Sequence, residues 1–198
     1  MKSKKPKVVA IVGLVGSGKS SVAKALAKAI NAKVIEGDVV RVALRKHGKN
    51  FGQVRNIVEK TATSTLKNEQ SVVLDSDFVD PKKCKSLEKT ARANGIKVFY
   101  IRVFSDRDIM IGRLISAKYT PNDLFGGAST DWLGKNKGAV VALREMWRRT
   151  PHHYRWSEKN GGTFLLKKLP IKFIAEIDTT SQNWKTQVKK AAKKIRRN

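Results

Sequence analysis

Residues Gly13-Leu-Val-Gly-Ser-Gly-Lys-Ser20 match the pattern G-x-x-x-x-G-K-[ST] at every required position. The flanks restrict the fold further. An apolar run, Val8-Val-Ala-Ile-Val12, leads in and reads as a buried strand. A helical pattern follows, with Val22, Ala25, Leu26, Ala29 and Ile30 on one face. A strand, a glycine-rich turn and a helix in this order form an anion cradle. Gly13, Gly16 and Gly18 let the backbone curl, and its N–H groups, including those of Ser17 and Ser21, then face a phosphate. The helix N-terminus adds partial positive charge. Lys19 is placed to reach outer phosphates and Ser20 to ligate Mg²⁺.

The rest of the chain alternates strand and helix, which implies a parallel sheet covered on both faces. After the first helix, strands are expected at 33–36, 71–75, 97–103 and 171–177. Helices are expected from Asp38, taken as an N-cap, over about 53–68, from Pro81 to Asn94, over 105–118, around 139–149 and at the C-terminus. Between Lys118 and Gly138 the pattern dissolves into Pro, Gly, Asn and Asp, and Gly161-Gly162 marks another break. The expected fold is a three-layer α/β/α P-loop NTPase fold with a five-stranded parallel sheet. One domain spans 1–198, with a mobile lid at about 118–164 and a basic C-terminal helix at about 181–198.

Charge is the unusual feature of the composition. The 198 residues carry 42 Lys and Arg against 16 Asp and Glu, a net charge of +26. Such an excess points to a polyanion, and nucleic acid is the leading partner. Cys84 is the only cysteine, which excludes an internal disulfide and a cysteine-rich zinc site. No run is long and apolar enough for a membrane span, and the basic start meets a strand in place of a leader's apolar region, so a cytoplasmic protein is expected.

In an open parallel sheet, ligands sit beyond the carboxyl ends of the strands. Those ends carry the phosphate loop, Glu36-Gly-Asp-Val-Val-Arg41, Asp75-Ser-Asp77 and Asp178-Thr-Thr180. Asp38 and Arg41, three apart at a helix start, can face one cleft. The carboxylate could take a proton from an attacking hydroxyl and the cation could hold the acceptor. Asp75 ends an apolar strand and suits Mg²⁺ through water, with Asp77 as its competitor. Candidates for a cation over the γ-phosphate are Arg113, Lys118, Arg144, Arg148 and Arg149. Trp147, Tyr154 and Trp156 lie among cations, an arrangement that suits either base stacking or packing of the lid. His152-His153 is poor evidence for a metal site. Asp123-Leu-Phe-Gly126 and Asn136-Lys-Gly-Ala139 imitate GTPase motifs. The first lies far from the third strand and the second lacks the acid that reads guanine, so a regulatory GTPase is not expected.

The chain resembles the P-loop kinase superfamily, with its nearest likeness to small ATP-dependent kinases of the polynucleotide 5′-hydroxyl kinase type. That family carries Asp-x-x-Arg at the end of strand two, here Asp38-Val-Val-Arg41. The resemblance implies that Asp38 is the general base and that Arg41 contacts the acceptor's phosphate. Asp178 and Thr179 are similar to the loop bordering adenine, and the helix carrying Arg113 is similar to the segment that leads into the lid. A weaker resemblance to adenylyl-sulfate kinase rests on Gly-Leu-x-Gly-Ser-Gly-Lys-Ser and on Gly37-Asp-x-x-Arg41. This chain has Asp75-Ser-Asp77 where Ile-Ser-Pro is usual in that family.

The reading that follows is an ATP- and Mg²⁺-dependent phosphotransferase with a hydroxyl acceptor on nucleic acid, either a 5′-hydroxyl or a modified base. Catalysis is expected from Lys19, Asp38 and Arg41. Nucleotide binding is expected from Gly13, Gly16, Ser17, Gly18, Lys19, Ser20, Ser21, Arg113, Asp178 and Thr179, and metal binding from Ser20 and Asp75. One rival is a small-metabolite or nucleoside-type kinase. The other is a non-enzymatic module that binds nucleic acid under nucleotide control.

Overall fold

The computed structural model describes residues 5–127 and 137–198. In chain order these form β1 (Val8–Val12), α1 (Lys19–Ile30), β2 (Ala32–Glu36), α2 (Gly37–Lys46), α3 (Val54–Lys67), β3 (Ser71–Asp75) and α4 (Pro81–Ala93). There follow β4 (Val98–Phe104), α5 (Arg107–Ser116), α6 (Lys137–His153), β5 (Tyr154–Ser157), β6 (Thr163–Leu166), β7 (Phe173–Asp178) and α7 (Trp184–Arg197). Five strands make one parallel sheet in the order β2-β3-β1-β4-β7. Helices cover both faces, which is the three-layer P-loop NTPase fold.

β1 lies between β3 and β4 and is buried along its whole length, which is why its sequence is a continuous apolar run. Its side chains alternate between two cores. Val9 and Ile11 pack with Val22 and Leu26 of α1 and Val188 and Ile195 of α7. Val8, Ala10 and Val12 pack with Leu44 of α2, Val58 of α3 and Leu87 of α4. A third cluster at the carboxyl end of the sheet joins Leu14 to Met110 and Leu114 of α5, Ala142 and Met146 of α6, and Tyr154.

Local chemistry sets several helix starts. Asp80 accepts from the Lys82 N–H, with Pro81 in the first turn of α4. Asp106 accepts from the N–H groups of Asp108 and Ile109 and so caps α5. Asp38 is not a cap: α2 begins at Gly37 with Glu36 in the capping position, and Asp38 falls in the first helical turn.

Packing overrides local pattern elsewhere. α6 runs to His153, beyond the expected end near 149 and through Pro151. Its buried face, Ala142, Met146, Thr150 and His153, continues past the proline, so tertiary contact outweighs the lost backbone bond. The Gly161-Gly162 break is the turn of an antiparallel hairpin, β5 paired with β6, whose short strands alternation did not reveal. β7 begins at Phe173, later than expected, where its pairing with Tyr100 of β4 starts. Of the expected lid, residues 128–136 lie outside the described residues, and with them Asn136, the first residue of the second GTPase-like motif. Among the described residues no helix is long and apolar enough to cross a membrane.

Candidate active site

The phosphate loop is a tight turn between β1 and α1. The Ser17 N–H donates to the Leu14 carbonyl at 3.1 Å. A Cβ on Gly13 would stand 2.4 Å from the Val103 carbonyl oxygen of β4, so the loop's first residue must lack a side chain. Gly18, at φ 83°, is the left-handed residue that starts α1, and no side chain caps that helix. No capping side chain therefore competes with an anion for the first-turn N–H groups. The Ser17 hydroxyl is buried with no hydrogen-bond partner among the described residues. Lys19 Nζ donates to the Leu14 carbonyl at 2.9 Å and so folds across the turn. An open helix N-terminus, an orphaned buried hydroxyl and a lysine parked on a carbonyl together fit a bound polyphosphate.

A cavity of about 480 Å³ opens from this loop and is also lined by Asp38, Arg41, Asp75, Asp77 and residues of α6. The order β2-β3-β1 sets the ends of these three strands side by side, which brings the acids to the cradle. Arg41 Nη1 donates to Asp38 Oδ1 at 2.7 Å. The i, i+3 spacing on α2 makes this contact, and Arg41 orients the carboxylate. Asp75 is buried, and burial raises its pKa against a hydrogen bond from Ser20 and the charge of Lys19. A hydroxyl beside an acid that resists ionising in isolation is a donor set suited to a hard divalent cation. Among the described residues no group of three or more His, Cys, Asp or Glu is placed to hold a metal, so phosphate and water would complete the coordination.

Asp77 has other partners. Its Oδ2 lies 3.0 Å from His153 Nε2 and 3.6 Å from Arg149 Nη1, while Oδ1 is buried without a partner among the described residues. Burial alone would raise its pKa, but the His153 hydrogen bond and charge, with Lys19 and Arg149, bring it below the ordinary value. Neither Asp77 nor Asp75 caps α4. His153 thus pairs with Asp77, and the tie was hidden because its ends lie 76 residues apart.

Of the expected γ-phosphate cations, Arg144, Arg148 and Arg149 line the cavity. Glu145 accepts from Arg148 at 2.8 Å and also from Arg149, and these contacts, the Arg148 hydrogen bond foremost, lower its pKa. Arg113 is elsewhere. It donates to the Thr179 carbonyl at 2.7 Å, to Thr179 Oγ1 at 2.9 Å and to the Gly16 carbonyl at 3.3 Å. Thr179 Oγ1 donates to the Ser17 carbonyl at 2.8 Å, and Asp178 Oδ1 accepts from the Thr180 N–H. Arg113 and Thr179 therefore brace the back of the phosphate loop, and Asp178 shapes the turn that carries Thr179. Ser21 is exposed in the first turn of α1.

The apolar wall of the cavity was not legible in the sequence. Phe51 comes from a single helical turn before α3, and Leu124 and Phe125 come from the irregular segment. Arg45 of α2 pins that segment by donating to the carbonyls of Leu124, Pro121 and Asp123. Tyr154 is buried, with its hydroxyl donating to the Ser105 carbonyl, whereas Trp147 and Trp156 remain about half exposed.

Comparisons with known proteins agree with this architecture. A gluconokinase from Sinorhizobium meliloti 1021 is similar over 98% of this chain and 96% of its own, with 14% identity and a TM-score of 0.58. The Mycobacterium tuberculosis APS kinase, in complex with AMPPNP and APS, is similar over 96% of this chain and 95% of its own, with 16% identity and a TM-score of 0.57. A sugar kinase from Janibacter sp. HTCC2649 covers 96% and 94%, with 11% identity and a TM-score of 0.58. At such identities the likeness is one of fold. No curated protein matches the chain. Residues 8–123 match the family model described as AAA domain, a span that holds the phosphate loop, Asp38, Arg41 and Asp75. The chain belongs to the AAA domain family.

Proposed function

We propose that the protein is an ATP- and Mg²⁺-dependent kinase that transfers the γ-phosphate to a hydroxyl of a small molecule. The domain is read as one unit over 1–198, with a lid at about 118–164. One observation carries this reading: a single cavity is lined by the phosphate-loop residues Lys19 and Ser20, the pair Asp38–Arg41, and the arginines of α6. A nucleotide-binding fold without transferase activity would not need an oriented carboxylate facing the cradle.

In this reading Lys19 leaves the Leu14 carbonyl for the outer phosphates, and the loop N–H groups hold the transferring group. Ser20 and Asp75 would hold Mg²⁺, which would supply neutralisation of the phosphate charge. Asp38, steadied by Arg41, accepts the proton of the acceptor hydroxyl. Arg144, Arg148 and Arg149 offset charge on the equatorial oxygens, and Phe51, Leu124 and Phe125 keep water away.

A small acceptor is favoured by the size of the cavity, which is that of an ordinary metabolite site. The names of the similar structures, a gluconokinase, a sugar kinase and an APS kinase, support the same class. The second reading, a kinase of the polynucleotide 5′-hydroxyl type, is favoured by the net charge of +26. Transfer of labelled phosphate from ATP, and separately from GTP, to sugar acids, polyols, nucleosides, adenylyl sulfate and 5′-hydroxyl oligonucleotides decides between them. Labelling of one small-molecule class is expected. Labelling of oligonucleotides alone would favour the second reading, and labelling of nothing would leave nucleotide-controlled binding.

A further inference from the structure

We infer that the protein binds single-stranded nucleic acid on a surface outside the acceptor cavity, made of the outer face of α7 and the exposed rings of Trp147 and Trp156. The proposal stands apart from the identity of the acceptor and from the kinase reading.

The first observation is α7. Half of its fourteen residues are Lys or Arg, it contains no acid, and every one of those cations is exposed. None forms an ion pair among the described residues; Arg196 instead donates to the Ala29 carbonyl. A helix about 21 Å long with unneutralised charge along one side repels itself unless a polyanion lies on it. The opposite side of α7, Val188, Ala191, Ala192 and Ile195, is buried against the sheet and α1. An amphipathic helix that enters a membrane does so with its apolar face. That face is already used here, so α7 can meet a partner only through charge.

The second observation selects nucleic acid and a single strand. The Arg107 guanidinium lies 4.1 Å from the Trp147 ring and 3.9 Å from the Phe164 ring, and its Nη1 and Nη2 have no hydrogen-bond partner among the described residues. Trp156 packs edge-on to Phe164, with ring centroids 4.9 Å apart. These contacts hold the rings in place from beneath, yet Trp147 and Trp156 stay 48% and 53% exposed. Fixed aromatic faces beside cations are what unpaired bases stack on, and a duplex offers no such faces to them. Trp147 projects from α6 away from the cavity, which Arg144, Arg148 and Arg149 line.

One turn links the elements that carry the two features. The Asp106 N–H, next to Arg107, donates to Thr180 Oγ1 at 2.7 Å, and Thr180 lies four residues before the first residue of α7. A strand whose bases stack at the α6 and hairpin end can therefore run its phosphates along α7.

The test uses the full chain and a fluorescein-labelled 20-mer of thymidine, compared with a duplex of equal length, by anisotropy between 50 and 200 mM salt. Binding of the single strand should be tighter than that of the duplex. Trp147→Leu and Trp156→Leu should each weaken single-strand binding by about 10-fold while leaving the duplex unchanged. Lys189→Glu, Lys193→Glu and Arg197→Glu together should lower the slope of log affinity on log salt by about 2. Binding of a fluorescent ATP analogue and the melting temperature check folding. If Trp147→Leu fails that check, Trp156→Leu alone carries the test. Equal single-strand and duplex affinities untouched by the tryptophan changes would overturn the proposal. So would tighter binding to phosphatidylserine vesicles than to the oligonucleotide. Loss of phosphate transfer with this binding intact would count only against the kinase reading.

Discussion

His153 Nε2 lies 3.0 Å from Asp77 Oδ2, and this contact joins the end of α6 to the loop that follows β3. The helix that carries three cavity-lining arginines is thereby anchored to the strand that carries Asp75. The anchor has charge as well as shape, because Arg149 approaches the same oxygen and in turn donates to Glu145.

Asp77→Asn should lower the stability of the protein by about 1–3 kcal/mol at neutral pH, since a buried, paired carboxylate is lost. The sign of its pH dependence follows from the lowered pKa of Asp77 in the folded chain. An acid held below its ordinary value stabilises the fold above that value, and the contribution vanishes as pH falls through the folded value. Thermal melts of wild type and variant should therefore differ more at pH 7 than at pH 3. A gap of equal size at both pH values would remove the ion-pair explanation.

Asp75→Asn should act in the opposite direction on stability. Burial raises the pKa of Asp75, so its ionised form costs the free protein stability at neutral pH. The neutral amide should leave the melting temperature of the free protein unchanged or raise it, while Mg²⁺-dependent transfer falls steeply. A variant that melts lower and keeps full Mg²⁺-dependent activity would contradict the role given to this carboxylate.

Asp38→Ala should reduce transfer by about 10²–10⁴-fold with nucleotide affinity unchanged, the range expected for a removed general base. Its side chain is largely exposed and its ion pair among the described residues is with Arg41, so the fold should tolerate the change. Arg41→Ala should produce a smaller loss and alter the pH profile, because the carboxylate keeps its chemistry but loses its orientation. Nucleotide affinity by titration calorimetry and single-turnover rates separate these effects.

Gly18→Ala should destabilise the loop by about 1 kcal/mol and weaken nucleotide binding. The residue sits at φ 83°, and a Cβ there would lie 3.2 Å from Thr179 Oγ1, the group that holds the Ser17 carbonyl. Thr179→Val should give the same weakening without backbone strain, by releasing the brace. If Thr179→Val binds ATP as tightly as wild type, the brace has no part in shaping the cradle.

The glycine pattern of residues 13–20 and the apolar run before it were enough to read the first strand, the loop and the helix, because each depends on residues within a few positions of one another. The same holds for the alternation of strands and helices, for Pro81 in the first turn of α4, and for the buried face of α7. Asp38 and Arg41 were read as facing one cleft, and both line the cavity, because their spacing lies within one helical turn. The remainder depends on neighbours distant in the chain. Asp77 meets His153, Arg113 meets Thr179, and Arg45 holds the segment around Leu124, and no local period encodes such meetings. The continuation of α6 through Pro151 and the small hairpin after it are set by what they pack against. Local order is written in nearest-neighbour chemistry, whereas the closing of the cavity follows from strand order and burial, which arise only once the whole sheet has assembled.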